Sequence, residues 1–403
     1  MVNDKILLAR EERRNILSTL TKSSDAVTLK ANIPGENKNL IEANLLVNYF
    51  IKKISSFPLS LSEIIKSEDG TVAFFTTDKG EEIKKECVFI EENHPLGRLI
   101  DIDVTLKGQR ESLSRGKMRR CFLCANPAFV CGREKRHTTS ELLRFFADKT
   151  NEHISSIIEE VIEESMLKEL NLENKFGLVC PSTNGAHQDL NYSIMKGAIS
   201  VIKKPLAKAF FLGLRGEDIN SIMQKLIPLG ILCEEEMKKV TFNSNAYKGF
   251  IFVGGLLLAS IGYVIKTDGC ASDIYKNAGR IVESYAFPTN TFGAKAFKGG
   301  FGGVREEARK GFPSVKLVEE YLENNSLHSA LIFALKNLED SVLYTRAKSE
   351  ERYNYFKNLI TNSHGREGEV SAYCIENNIS IGGSADVLIA SVMVKKNKGN
   401  FLF

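Results

Sequence analysis

Apolar positions along this chain change rhythm about a third of the way in. In the first part they alternate between two periods. Residues 5–20 place Leu7, Leu8, Ile16, Leu17 and Leu20 among charges and predict a helix, and 40–51 repeats that amphipathic pattern. Residues 26–33 read as a strand closed by the Pro34–Gly35 turn. Residues 72–76, 87–90 and 98–106 also read as strands. From residue 140 onward the pattern is helical: 140–146, 151–170, 192–202, 250–265, 315–321, 326–338, 350–359 and 385–394. The fold expected is an α+β domain at residues 1–148 followed by an all-α domain at 149–403. The polar stretch 147–152 is the natural linker between them.

Length agrees, because 403 residues exceed one ordinary core. A 43% hydrophobic and 26% charged composition is that of a globular protein. The net charge of +4 is concentrated: residues 1–150 hold 25 Lys or Arg against 21 Asp or Glu. No basic stripe interleaved with aromatics is present and Trp is absent, which argues against a nucleic-acid partner. The uncharged run 249–265, between Lys248 and Lys266, reads as a buried helix rather than a membrane span. Eight cysteines and an N-terminus without a secretory pattern lead us to expect reduced thiols in a cytoplasmic protein.

The densest chemistry lies at residues 94–137. Asp101 and Asp103 stand one residue apart, so on a strand they share a face and could grip one divalent cation, expected to be Mg2+. Gly97 and Arg98 precede them. Nine Lys or Arg against two Glu then follow between Lys107 and Arg136, a local anion site. Cys121, Cys124, Cys131 and His137 have zinc-like spacing. The competing reading is a loop of reduced thiols whose Arg119, Arg120, Arg133 and His137 contact phosphates directly.

HPLGRLIDIDV, RRCFLC, VCGR and His137, with LLAREERR and NIPGENK upstream, closely resemble the apo-citrate lyase phosphoribosyl-dephospho-CoA transferase family over residues 5–145. The resemblance implies a nucleotidyltransferase-like first domain. It would transfer 2'-(5''-phosphoribosyl)-3'-dephospho-CoA from a triphosphate precursor to a serine of the citrate lyase acyl-carrier subunit, releasing diphosphate. It maps the functional pattern onto His94, Gly97, Arg98, Asp101, Asp103, Arg119, Arg120 and His137.

In the helical part, GAHQDL presents His187 and Asp189 as a candidate base and carboxylate. Glu234, Lys248, Glu307 and Asp386 add charge. Gly302, Gly303 and Arg305, and later Gly382, Gly383 and Ser384, suggest backbone amides approaching phosphate at helix starts. GLV…GAHQDL, CEEEM…NAYKG, REEARKGFPSV and CIENNISIGGSAD resemble the triphosphoribosyl-dephospho-CoA synthase family over residues 155–395. That family joins ATP and 3'-dephospho-CoA and releases adenine, and its product is the first family's substrate. The chain departs from the pattern in places. Tyr247 and Phe292 stand where the family has histidines, and Arg-Gly-Gly becomes Arg346-Ala347-Lys348. Pro-Lys-Pro-Gly becomes Asn174-Lys175-Phe176-Gly177. A bifunctional enzyme is the leading expectation. The alternative is a monofunctional transferase with a degenerate helical nucleotide-binding or docking domain.

Overall fold

Alternation in the first third builds one antiparallel sheet, seen in a computed structural model that describes residues 2–124, 126–283, 285–286 and 303–402. The chain divides into two units, Met1–Ser156 and Ile157–Phe403.

In the first unit, helix α1 (Val2–Leu20) leads into β1 (Asp25–Ala31), α2 (Ile41–Ile54), β2 (Ser60–Ser67) and β3 (Gly70–Thr77). Then come α3 (Gly80–Asn93), a 3-10 turn (Gly97–Leu99) and β4 (Ile100–Thr105). The strand order is β2-β3-β1-β4, so β4 is an edge. Helix α2 packs on β1 and β3, and α3 on β4 and β1. Period-two burial is clean in β4. Ile100, Ile102 and Val104 are buried, opposite Ala31, Leu29 and Val27 of β1. Asp101 and Asp103 therefore project from the other face, opposite Lys30 and Thr28.

Residues 87–90, expected as a strand, lie inside α3. Their apolar run is not buried continuously, since Phe89 is 62% exposed. Ile83, Lys84, Cys87 and Glu91 recur at helical spacing on the buried side, and Glu81 and Glu82 favour a helix start. The expected linker at 147–152 is also helix. It falls within α5 (Thr139–Leu170), which follows the short α4 (Ala128–Arg133) and crosses the division between units. Its polar residues are simply one part of a long helix.

Among the described residues of the second unit every regular element is a helix, joined by loops, apart from an isolated bridge between Cys180 and Thr183. Its helices are α6 (Tyr192–Leu214), α7 (Ile219–Val240), α8 (Lys248–Lys266), α9 (Asp273–Val282), α10 (Gly303–Arg309) and α11 (Pro313–Tyr321). They continue with α12 (Leu327–Asn337), α13 (Ser341–Ala347), α14 (Glu350–Thr361), α15 (Glu367–Glu376) and α16 (Gly382–Phe401). The apolar α8 is long enough to cross a membrane, yet 78% of its apolar window is buried, packed by α6, α7, α9 and α16. Glycine lets α6 and α8 approach closely: a Cβ at Gly262 would stand 2.0 Å from the Phe210 carbonyl oxygen. Gly262→Ala should lower the stability of the helical unit by about 2–3 kcal/mol, read as a shift in its urea midpoint. An unchanged midpoint would contradict so close a crossing.

Candidate active sites

Edge strand β4 has outward-facing backbone groups that a sheet interior would pair, and α3 supplies their partners. The buried Glu91 carboxylate accepts the Ile102 N–H at 2.8 Å, and the buried Lys84 Nζ donates to the Ile102 carbonyl at 3.4 Å. That clamps the residue between the two aspartates. Glu91 also accepts from Arg119 at 2.8 Å and pairs with Arg115 at 2.9 Å. Burial pushes the Glu91 carboxyl up, against the opposing pull of Arg119, the Ile102 N–H and Arg115.

Asp101 pairs with Arg119, and with Lys30 at 3.4 Å. Burial would raise its carboxyl, but the two cations outweigh that and hold it below the ordinary range. Asp103 goes the other way: burial first, then the Asp101 charge, raise it. Among the described residues no hydrogen bond or ion pair commits the Asp103 carboxylate. One paired and one uncommitted carboxylate share a single face, a donor arrangement of the kind that suits a divalent cation.

Arg98 donates to the Arg120 carbonyl and lies 6.0 Å from the Phe122 ring centroid. Among the described residues its buried Nε and Nη1 have no hydrogen-bond partner, so this guanidinium keeps two donors unused. Gly97 has a packing reason to be glycine: a Cβ there would meet the Ile90 carbonyl oxygen at 2.3 Å. His94 turns away into an aromatic cluster. Its Nδ1 accepts the Leu96 N–H at 3.0 Å, its Nε2 meets the Tyr49 hydroxyl at 3.1 Å, and its ring lies against Phe50 and His153. Burial pushes His94 down to about 4. It shapes the turn into β4 and stays neutral.

The four zinc-spaced residues converge. One ligand atom from each of Cys121, Cys124, Cys131 and His137 lies within 4.8 Å of all the others. Cys124 Sγ is 3.4 Å from both Cys131 Sγ and His137 Nε2. His137 and neighbouring donors hold the Cys124 thiol down at about 6, whereas burial and adjacent thiols push Cys131 up to about 12. Arg133 is exposed at the end of α4.

In the helical unit His187 is held by residues far away in sequence. Arg346 donates to His187 Nδ1 at 3.3 Å, to the Ala186 carbonyl at 2.8 Å and to the Asn378 side chain at 2.7 Å. Ser380 Oγ lies 3.4 Å from Nε2. With Nδ1 accepting from a guanidinium, the neutral ring carries its proton on Nε2 and has no lone pair left for a base. Burial and Arg346 push it down to about 4. His187, expected as a base, is thus arranged as a donor, while Asp189 is exposed.

The glycine clusters need a correction. The amides of Gly383 and Ser384, at the start of α16, donate to Asp340 at 3.3 and 2.7 Å, and Ser384 Oγ does so at 2.8 Å. Asp340 also caps α13 through Val342 and Leu343. An internal carboxylate thus takes the place in which a phosphate was expected. Gly382 is half-buried, near Val342. Glu307, expected to meet a cofactor, accepts the Ser314 amide and hydroxyl, both at 2.9 Å, at the start of α11. Gly303, with φ of 52°, opens α10, which carries half-buried Arg305. Gly302 and Phe292 lie outside the described residues. Glu234 pairs with Lys248 at 2.8 Å. Asp386 is pushed well up by burial, then by Asp340 and Glu169, despite the Phe250 N–H. Tyr247 is 3% exposed, and its hydroxyl has no partner among the described residues.

Sequence reasoning missed Glu91, Arg115, Lys30 and Arg346 as organisers of these sites. Glu91 was legible as the i+4 partner of Cys87 once that segment is read as helix; Arg346 was legible as the retained arginine of Arg-Gly-Gly.

A carboxylate pair beside Arg119 and Lys30 in one unit, and an Arg346–His187 pair beside exposed Asp189 in the other, are the charged groups of a two-part phosphate-handling transferase. Residues 155–401 match the family model described as ATP:dephospho-CoA triphosphoribosyl transferase, and the chain belongs to that family. Residues 2–160 match apo-citrate lyase phosphoribosyl-dephospho-CoA transferase. Similar relatives include Protein CitXG of Leuconostoc mesenteroides subsp. cremoris, 26% identical over 97% of this chain and 95% of its own length. Protein CitXG of Haemophilus influenzae is 28% identical over 98% and 96%. The 2-(5''-triphosphoribosyl)-3'-dephosphocoenzyme-A synthase of Haemophilus ducreyi is 26% identical over 67% of this chain and 98% of its own length.

The two depressed histidines give a pH prediction. Unfolded, each titrates near 6.5, and folded near 4. Between those values the unfolded chain binds more protons, so stability falls as pH drops from about 6.5 towards 4. His187→Gln should flatten that decline in urea midpoints taken at pH 7, 6 and 5. Parallel slopes for wild type and variant would refute the buried, neutral assignment.

Proposed function

We propose that this chain makes and attaches the citrate lyase prosthetic group in two steps. In the helical unit the 2'-hydroxyl of 3'-dephospho-CoA attacks the ribose C1' of ATP and adenine departs. Asp189 accepts the hydroxyl proton, Arg346 and His187 present donors to the nucleotide, and Asp386, whose carboxyl burial pushes well up, stands as a second acid–base group. In the first unit the serine of the citrate lyase acyl-carrier subunit attacks phosphorus and diphosphate leaves. Arg98, with two unshared donors, and the Arg119–Arg120 strap receive the developing charge. The observation that carries this reading is the shared face of Asp101 and Asp103, beside Lys30 and Arg119. The pair fits Mg2+, because Asp103 is uncommitted and its negative charge is disfavoured until a cation joins it. When bound, such an ion would neutralise triphosphate charge. We take the first unit as nucleotidyltransferase-like and the protein as cytoplasmic.

Asp101→Asn and Asp103→Asn should each cut carrier labelling by roughly a hundredfold or more, while adenine release stays at the wild-type rate. Labelling at the wild-type rate would remove the metal-edge role. A second reading, a transferase with an inert helical unit, is favoured by Tyr247, whose unpartnered hydroxyl sits where the resemblance places a histidine. Incubating the chain with ATP and 3'-dephospho-CoA decides: free adenine supports two activities, and its absence with intact carrier labelling supports one.

A further inference from the structure

From Lys107 to Thr138 a single described residue, Cys131, is buried. Apolar side chains here point outward: Met118 is 71% exposed and Phe129 55%. Burial alone cannot hold such a segment in place. Yet it is folded in detail. Cys121 N–H donates to the Asn126 carbonyl at 2.8 Å, and Ala128 N–H to the Arg119 carbonyl at 2.8 Å. Arg120 pairs with Pro127 in an isolated bridge, and Arg136 N–H closes onto the Cys131 carbonyl at 3.1 Å. This geometry turns the chain so that Cys121, Cys124, Cys131 and His137 meet.

We propose that these four residues bind one structural zinc ion, which locks the Arg119–Phe122 strap over the aspartate face. Three thiolates and an imidazole form a closed tetrahedral donor set of the kind structural zinc takes. With Zn–S bonds near 2.3 Å, the edges of such a tetrahedron are about 3.8 Å. The 3.4 Å separations from Cys124 to Cys131 and to His137 are close to that, and need only small side-chain adjustment. The consequence for the site is direct. Arg119 and Arg120 immediately precede the first ligand; Arg119 reaches Asp101 and Glu91, and the Arg120 carbonyl anchors Arg98. The strap's function rests on the transferase reading above, whereas the metal site does not.

The test is metal content of the full chain purified under reducing conditions, followed by Co2+ titration of the chelator-stripped protein. The expected result is about one zinc per chain, and a Co2+ complex with thiolate charge-transfer and tetrahedral visible bands. Cys131→Ser should lose both, while Cys270→Ser, at an exposed thiol outside the cluster, keeps both. Wild-type protein that binds neither Zn2+ nor Co2+, or whose binding survives Cys131→Ser, overturns the proposal. So does a Co2+ spectrum without thiolate bands. Because the readout is metal and spectrum, it fails or succeeds independently of carrier labelling.

Discussion

The first unit's site hangs on one buried carboxylate. Glu91 is 1% exposed, and its two oxygens reach the Ile102 amide, Arg119 and Arg115. A buried charge is costly unless paired and hydrogen-bonded, and three donors meet that condition. The same contacts fix three things at once. They close the open edge of β4, set the height of Asp101 and Asp103 on it, and draw two arginines of the basic segment to that edge. Removing the carboxylate would leave Arg115 and Arg119 short of a partner and the Ile102 amide bare.

The helical unit uses a similar device. Asp340, fully buried, takes donors from the starts of α13 and α16, tying together two helices whose N-termini would otherwise seek an outside anion. Lys175, also buried, does the complementary job at a helix end. It donates to the Glu169 and Leu170 carbonyls and pairs with the Glu169 side chain at 2.7 Å. Internal charges thus satisfy helix termini that a reader of glycine motifs would assign to ligands.

Much of this was legible in the chain itself. Alternation in β4 alone places both aspartates on one face, and the Cys-Cys-Cys-His spacing alone marks a convergent cluster. What could not be read were register and long-range partners. Nothing in the sequence says that Lys30 lies opposite Asp101, or that Arg346 crosses 159 positions to reach His187. The misread strand at 87–90 has a clear cause. Four apolar residues in a row cannot reveal whether period two or period 3.6 governs them, and the deciding neighbours, Ile83, Lys84 and Glu91, lie outside the run.

The departures from the family pattern gain meaning from backbone geometry. Asn174 and Phe176 adopt φ of 54°, which proline cannot take, so a Pro-Lys-Pro-Gly loop would run differently here. Lys348, where the pattern has glycine, sits at φ of 63° and closes α13 in a left-handed cap that glycine would adopt without strain. Yet Lys175, Arg346 and Asp340 each keep at least three hydrogen bonds. Asn174, Phe176 and Lys348 thus fall at loops or a helix end, while the charged framework that holds the helices together is intact. A unit altered in that way retains groups that can attract a phosphorylated nucleotide. On the proposed reading, its proton transfers would fall to carboxylates, exposed Asp189 and Asp386, whose carboxyl burial pushes up, rather than to histidine.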